Sequence, residues 1–159
     1  MKKLLFLLCL LSWSALNAQK TINRPPFIAK ATETIEIAAV HLSDTATVID
    51  VDAKFTPKYW IRIAPATCLV ADNGERYQVR QGVGIELGQE FWMPESGEAT
   101  FSLIFPPLPP SVKSFDFVEG EGERDFNLFG ISLTGKLPKL QLPRSRESRK
   151  NDCCSFADS

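Results

Sequence analysis

Ile49-Asp50-Val51-Asp52-Ala53-Lys54-Phe55 places apolar side chains at every second position and charged ones between them. Period two is the repeat of an extended chain, because successive Cβ atoms point to opposite faces of a strand. One face of this segment is apolar and the other charged, as a half-buried antiparallel strand requires. Phe55 is expected on the inward face with Ile49, Val51 and Ala53.

The same alternation returns in Tyr59, Ile61, Ile63 and in Phe101, Leu103, Phe105, and no segment carries a helical stripe of comparable length. Strands are predicted at 33–41, 46–56, 59–64, 67–72, 75–80, 83–87, 99–105, 113–119 and 126–133. Short strands at this spacing suit two packed antiparallel sheets, so the predicted class is an all-β, two-sheet sandwich. Alternation slips at Ala38-Ala39, which predicts a bulge there. Asn73-Gly74 supplies two residues tolerant of positive φ and predicts a hairpin with a type I′ turn. Phe105-Pro106-Pro107-Leu108-Pro109-Pro110 cannot sit inside a sheet, since proline has no ladder donor, and it is expected to be an extended crossover between the sheets.

At the start, Lys2 and Lys3 precede the apolar run Leu4 to Leu11, and Ala18 offers a cleavage point before Gln19. This is the pattern of a signal peptide, expected over residues 1–18. Ser12, Ser14 and Asn17 break the run short of the roughly 20 apolar residues of a membrane span, so no membrane anchor is expected after cleavage. Cys9 is wrongly flanked for a lipoprotein cysteine. Residues 19–31, with Pro25 and Pro26 and no periodicity, are expected to be an N-terminal arm leading into a sandwich over 32–136. Leu137 to Pro143 still alternates and Arg144 to Ser159 is charged and polar, so residues 137–159 are expected to be a linker-like, disordered tail.

Of 18 basic and 19 acidic residues, the signal segment would take two lysines and no acids, leaving a mild negative balance. That disfavours nucleic acid, which calls for a concentrated basic face, and an anionic membrane surface. Cys68, Cys153 and Cys154 would survive cleavage, an odd number that leaves at least one thiol over, and no C-x-x-C redox pair is present.

Catalytic candidates are sparse. His41 is the single histidine, with no nucleophile-elbow pattern around it, and is expected to be structural. One histidine and a cysteine doublet do not make a zinc site. Glu119, Glu121, Glu123 and Asp125 form an acidic, glycine-containing loop that resembles a calcium site in composition but not in EF-hand spacing, and a solvated hairpin tip is the preferred reading. Glu86, Glu90, Glu95 and Glu98 are scattered as on any acidic surface and define no glycosidase pair. No catalytic residue, metal or cofactor is expected. Cys68 is expected to be a small buried hydrophobe.

The pairs Tyr59-Trp60 and Phe91-Trp92 each place neighbouring rings on opposite faces of a strand, so one ring of each is expected inside. Core packing is the preferred reading for the tryptophans. The functional alternative is an exposed ring that stacks on a sugar or anchors a protein interface.

Several stretches carry a resemblance: Ile35-Glu36-Ile37, Leu42-Ser43-Asp44-Thr45-Ala46-Thr47-Val48, Tyr59-Trp60-Ile61-Arg62-Ile63, Gly84-Ile85-Glu86-Leu87, Phe91-Trp92-Met93-Pro94-Glu95-Ser96-Gly97-Glu98, Ser114-Phe115-Asp116-Phe117-Val118-Glu119-Gly120 and Phe126-Asn127-Leu128-Phe129-Gly130-Ile131. Over about residues 27–143 the chain resembles the N-terminal module of exported Bacteroides-type thioredoxin-like (thiol-disulfide oxidoreductase) proteins. The resemblance implies an immunoglobulin-like sandwich in a Gram-negative periplasm or outside the cell, without catalytic residues of its own. It also implies a redox domain beyond Pro143, where this chain instead turns polar, as a truncated or frame-shifted gene would produce. The expected function is a non-catalytic envelope accessory or interaction module whose partner is an envelope protein or a glycan. The alternative is a carbohydrate-binding or adhesin-like module.

Overall fold

A computed structural model describes residues 19–120 and 125–137. Among the described residues twelve strands run in chain order: β1 (Lys20–Asn23), β2 (Ala29–Lys30), β3 (Ile35–Leu42), β4 (Thr47–Lys54), β5 (Trp60–Ile61), β6 (Cys68–Ala71), β7 (Arg76–Gln78), β8 (Gln81–Val83), β9 (Phe91–Trp92), β10 (Glu98–Phe105), β11 (Ser114–Val118) and β12 (Asn127–Ser132). One sheet has the order β1-β3-β4-β10-β8, a second β2-β12-β11-β6-β7, and β5 pairs with β9 in a ladder of its own. All pairings are antiparallel.

Without the edge strands β1 and β2, the sheets read β3-β4-β10-β8 and β12-β11-β6-β7. Those are the A-B-E-D and G-F-C sheets of an immunoglobulin-like Greek key, with β7 added beside the C strand. The expected two-sheet sandwich is therefore the observed one. The disulfide and strand-C tryptophan of antibody domains have no counterpart: β4 and β11 carry no cysteine, and β6 places Leu69 in the core.

Alternation dictates the core. Ile49, Val51, Phe101 and Leu103 enter it from one sheet, and Leu69, Phe115, Phe117 and Leu128 from the other. Phe105 meets Phe117 edge-on between the layers, with centroids 6.3 Å apart and planes at 77°. The proline-rich segment does cross between sheets, from β10 to β11. Its Leu108 is buried, and the Leu108 N–H donates to Oγ1 of buried Thr47 at 3.0 Å.

The bulge falls where alternation slips. Ile37 opposes Val51 and Ala39 opposes Asp50, so Ala38 is the extra residue. Ile35, Ile37 and Val40 are all buried, and only an inserted residue lets positions three apart share one face.

The structure corrects five other expectations. Residues 19–31 are not an unpaired arm: β1 extends one sheet beside β3, and β2 extends the other beside β12. Ile22 is the single apolar residue of β1, which explains why this edge strand shows no period. The Asn73-Gly74 hairpin forms, but only Gly74 has positive φ (85°). Gly74 N–H bonds Ala71 O and Ala71 N–H bonds Glu75 O, giving a three-residue loop instead of a type I′ turn. In place of a strand over 83–87 the chain pairs at Gln81–Val83, sharing only Val83 with it, and buried Ile85 lies in the connection that follows. Strand 59–64 shrinks to Trp60–Ile61. Phe55 lies beyond the end of β4 and is exposed instead of turned inward.

The connections β4 to β6, β8 to β10 and β11 to β12 gather at one end of the sandwich. Leu42 opposes Thr47 and Lys20 opposes Leu42, while Ser114 opposes Ser132, so both ends of the described chain emerge at the other. Lys20 Nζ donates to Leu133 O there at 2.8 Å.

Candidate functional site

The far end from the termini is organised by the ladder of β5 and β9. Trp60 stands directly opposite Trp92, and Ile61 opposite Phe91. Met93 N–H donates to Tyr59 O at 2.8 Å. The adjacent Trp60–Trp92 pair is thus of the non-hydrogen-bonded kind, in which opposed side chains stand closest. Opposed residues share a face, so both indoles point the same way and Ile61 and Phe91 the other.

The core takes the second face. Ile61 and Met93 are buried, and Phe91 packs on Phe101 at 6.3 Å between centroids. Trp60 remains 42% exposed and Trp92 60%, while Tyr59, at the ladder's end, is 63% exposed. Among the described residues neither indole makes an aromatic ring contact. Core packing of the tryptophans is thereby overturned: with Ile61 and Met93 as the inward neighbours, register leaves the indoles outside. Phe91 alone of the four candidate rings packs against the core.

Local backbone holds this ladder. Thr56-Pro57-Lys58-Tyr59 closes with Tyr59 N–H to Thr56 O at 3.1 Å, and Lys58 has φ of +62°. A turn with proline second and positive φ third is one that glycine or asparagine ordinarily completes, so a lysine there is strained. Lys58 N–H bonds Met93 O, and Lys58 Nζ meets Glu95 Oε1 at 2.9 Å. Gly88 N–H bonds Ile63 O at 2.8 Å, tying the two connections a second time.

The third connection is tied in by Glu119. Its Oε1 accepts from Ala64 N–H at 2.7 Å and its Oε2 from Phe126 N–H at 2.8 Å. Burial pushes its carboxyl above the usual range, against the two amide hydrogen bonds that pull it down. As a calcium candidate it is therefore already committed, both oxygens serving as a loop clasp. Glu121 and Glu123 lie outside the described residues, and among those described no three His, Cys, Asp or Glu side chains gather as metal ligands. Glu98 is engaged by Lys54 at 3.1 Å, as Glu95 is by Lys58. Cys68 is buried with a free thiol, while Cys153 and Cys154 lie outside the described residues.

His41 belongs to the opposite end. Its Nε2 lies 2.7 Å from Asp50 Oδ2 and its Nδ1 3.0 Å from Thr21 Oγ1, while Ser102 Oγ donates to Asp50 Oδ1 at 2.7 Å. This chain spans β1, β3, β4 and β10 on the outer face of one sheet. The carboxylate sits between the histidine and the serine, so His41 has no contact through which to activate Ser102. Sequence reasoning missed the chain because only strand register brings its members together.

No family model, curated protein or solved structure matches the chain. Among the described residues, no helix is long and apolar enough to cross a membrane.

Proposed function

We propose that this chain is a non-catalytic, exported interaction module of the cell envelope, and that its contact surface is the end bearing Trp60 and Trp92. One observation carries the reading: two directly opposed indoles stand half-exposed on a ladder tied by backbone hydrogen bonds, at the end away from both ends of the described chain. Exposing large aromatic area to water is costly, and exposed rings on a rigid support are what contact surfaces use. The positive n-region Lys2-Lys3 and the apolar h-region Leu4 to Leu11 support export, and the absence of a C-x-x-C pair supports a role outside redox chemistry.

A photo-crosslinking amino acid at exposed Glu90, which leaves both indoles in place, compared with one at Thr45 at the opposite end, tests this in the producing cells. Adducts, whether protein or glycan, are expected from position 90 and not from position 45. Equal yields from both positions, or none from either, contradict the reading. The processed chain is also expected not to catalyse insulin reduction by dithiol; measurable turnover would remove the non-catalytic half of the proposal.

A further inference from the structure

We infer that the ligand of the Trp60–Trp92 surface is an uncharged polysaccharide whose sugar rings stack on the two indoles; this rests on the interaction-module reading above. Size decides first. Two indoles at 42% and 60% exposure offer roughly 250 Å² of aromatic surface, taking about 250 Å² for a whole tryptophan. A stable protein interface needs about 800 Å² on each partner around an apolar centre. Somewhat over half of such an interface is apolar, about 450 Å², and the two indoles supply roughly half of that, whereas the face of one or two pyranose rings matches them.

Shape and charge agree with size. Both indoles project from the same face of a two-residue ladder, and Ile61, Phe91 and Met93 anchor the other face in the core, so the platform is pre-organised. Pyranose rings present faces of C–H groups that pack on the electron-rich face of an aromatic ring, and this contact requires no charge on the sugar. The flanking charges, Lys58 and Glu95, are closed on one another at 2.9 Å. Of the other cations near this end among the described residues, Lys54 is paired with Glu98 at 3.1 Å and Arg62 lies in the field of the Glu119 carboxyl. A neutral chain fits this surface better than an anionic one.

The experiment exploits a property of the sequence: the tryptophans are Trp13, Trp60 and Trp92, so a chain beginning at Gln19 reports only from the surface in question. Residues 19–159 are titrated with neutral polysaccharides (β-glucan, xylan, mannan) and with alginate as an anionic control, read by tryptophan emission and by retardation in polysaccharide-containing gels. At least one neutral polymer is expected to shift the emission and retard the protein. Trp92→Ala should lose at least tenfold in affinity, while His41→Ala, at the opposite end, binds as the parent does. Binding of alginate alone, retardation unaffected by Trp92→Ala, or no binding to any neutral polymer overturns the inference. In that last case, a discrete protein adduct from position 90 keeps the interaction-module reading and removes only the glycan, whereas no adduct removes both.

Discussion

Lys58 carries a conformational cost where the chain turns into the ladder. Relief of a non-glycine residue at positive φ by glycine is expected to raise stability by roughly 0.5–1 kcal/mol, net of the added flexibility of the unfolded chain. A denaturation midpoint of Lys58→Gly below that of the parent would show that the turn is not strained. Asp50 gives a pH dependence with a definite sign. Partial burial pushes its carboxyl up, but hydrogen bonds with His41 and Ser102 outweigh that and hold it below its ordinary 3.8. A lowered carboxyl pKa means the unfolded chain binds the proton first, so stability is full above the ordinary value and is lost as pH falls through the lowered one. Asp50→Asn should flatten that acid limb, and an unchanged limb would place the acid sensitivity elsewhere. Glu119 has the opposite sign: its raised carboxyl makes stability fall as pH rises from the ordinary carboxylate value through the raised one.

At the scale of the element, β3 shows how much one residue decides. Deleting Ala38 removes the bulge and turns either Ile35 and Ile37 or Val40 away from the core, so the variant is expected to lose cooperative folding. A deletion that unfolds like the parent would mean register is set elsewhere. Gly130, at φ +66° beneath Ile28, is the matching irregularity in β12: a Cβ there would fall 2.5 Å from the Ile28 side chain. Period two made β4 and β10 legible, because β4 buries one face along its length and β10 does so from Phe101 to Phe105. It failed for β5 and β9, since two-residue strands carry no period. It also failed for the tryptophans: size argued for burial, and only the pairing with Trp92 shows that Ile61 and Met93 take the inward places.

For the whole molecule, composition and alternation were enough to expect two antiparallel sheets, and the proline-rich crossover supplied one of the moves between them. Strand order was not legible, because it depends on which edges meet across the core. The site followed the same division: the four aromatic candidates could be named from Tyr59-Trp60 and Phe91-Trp92, but their meeting on one ladder could not. Core and platform should therefore respond differently. Leu103→Ala, in the sealed interior, is expected to cost about 2–5 kcal/mol, against under about 1 kcal/mol for Trp92→Ala. The most direct test of the account is acrylamide quenching of tryptophan emission in the chain from Gln19 onward, where Trp60 and Trp92 are the only emitters. Efficient quenching of both, with emission near that of a solvated indole, is the expected result; shielded, blue-shifted emission from either would contradict it.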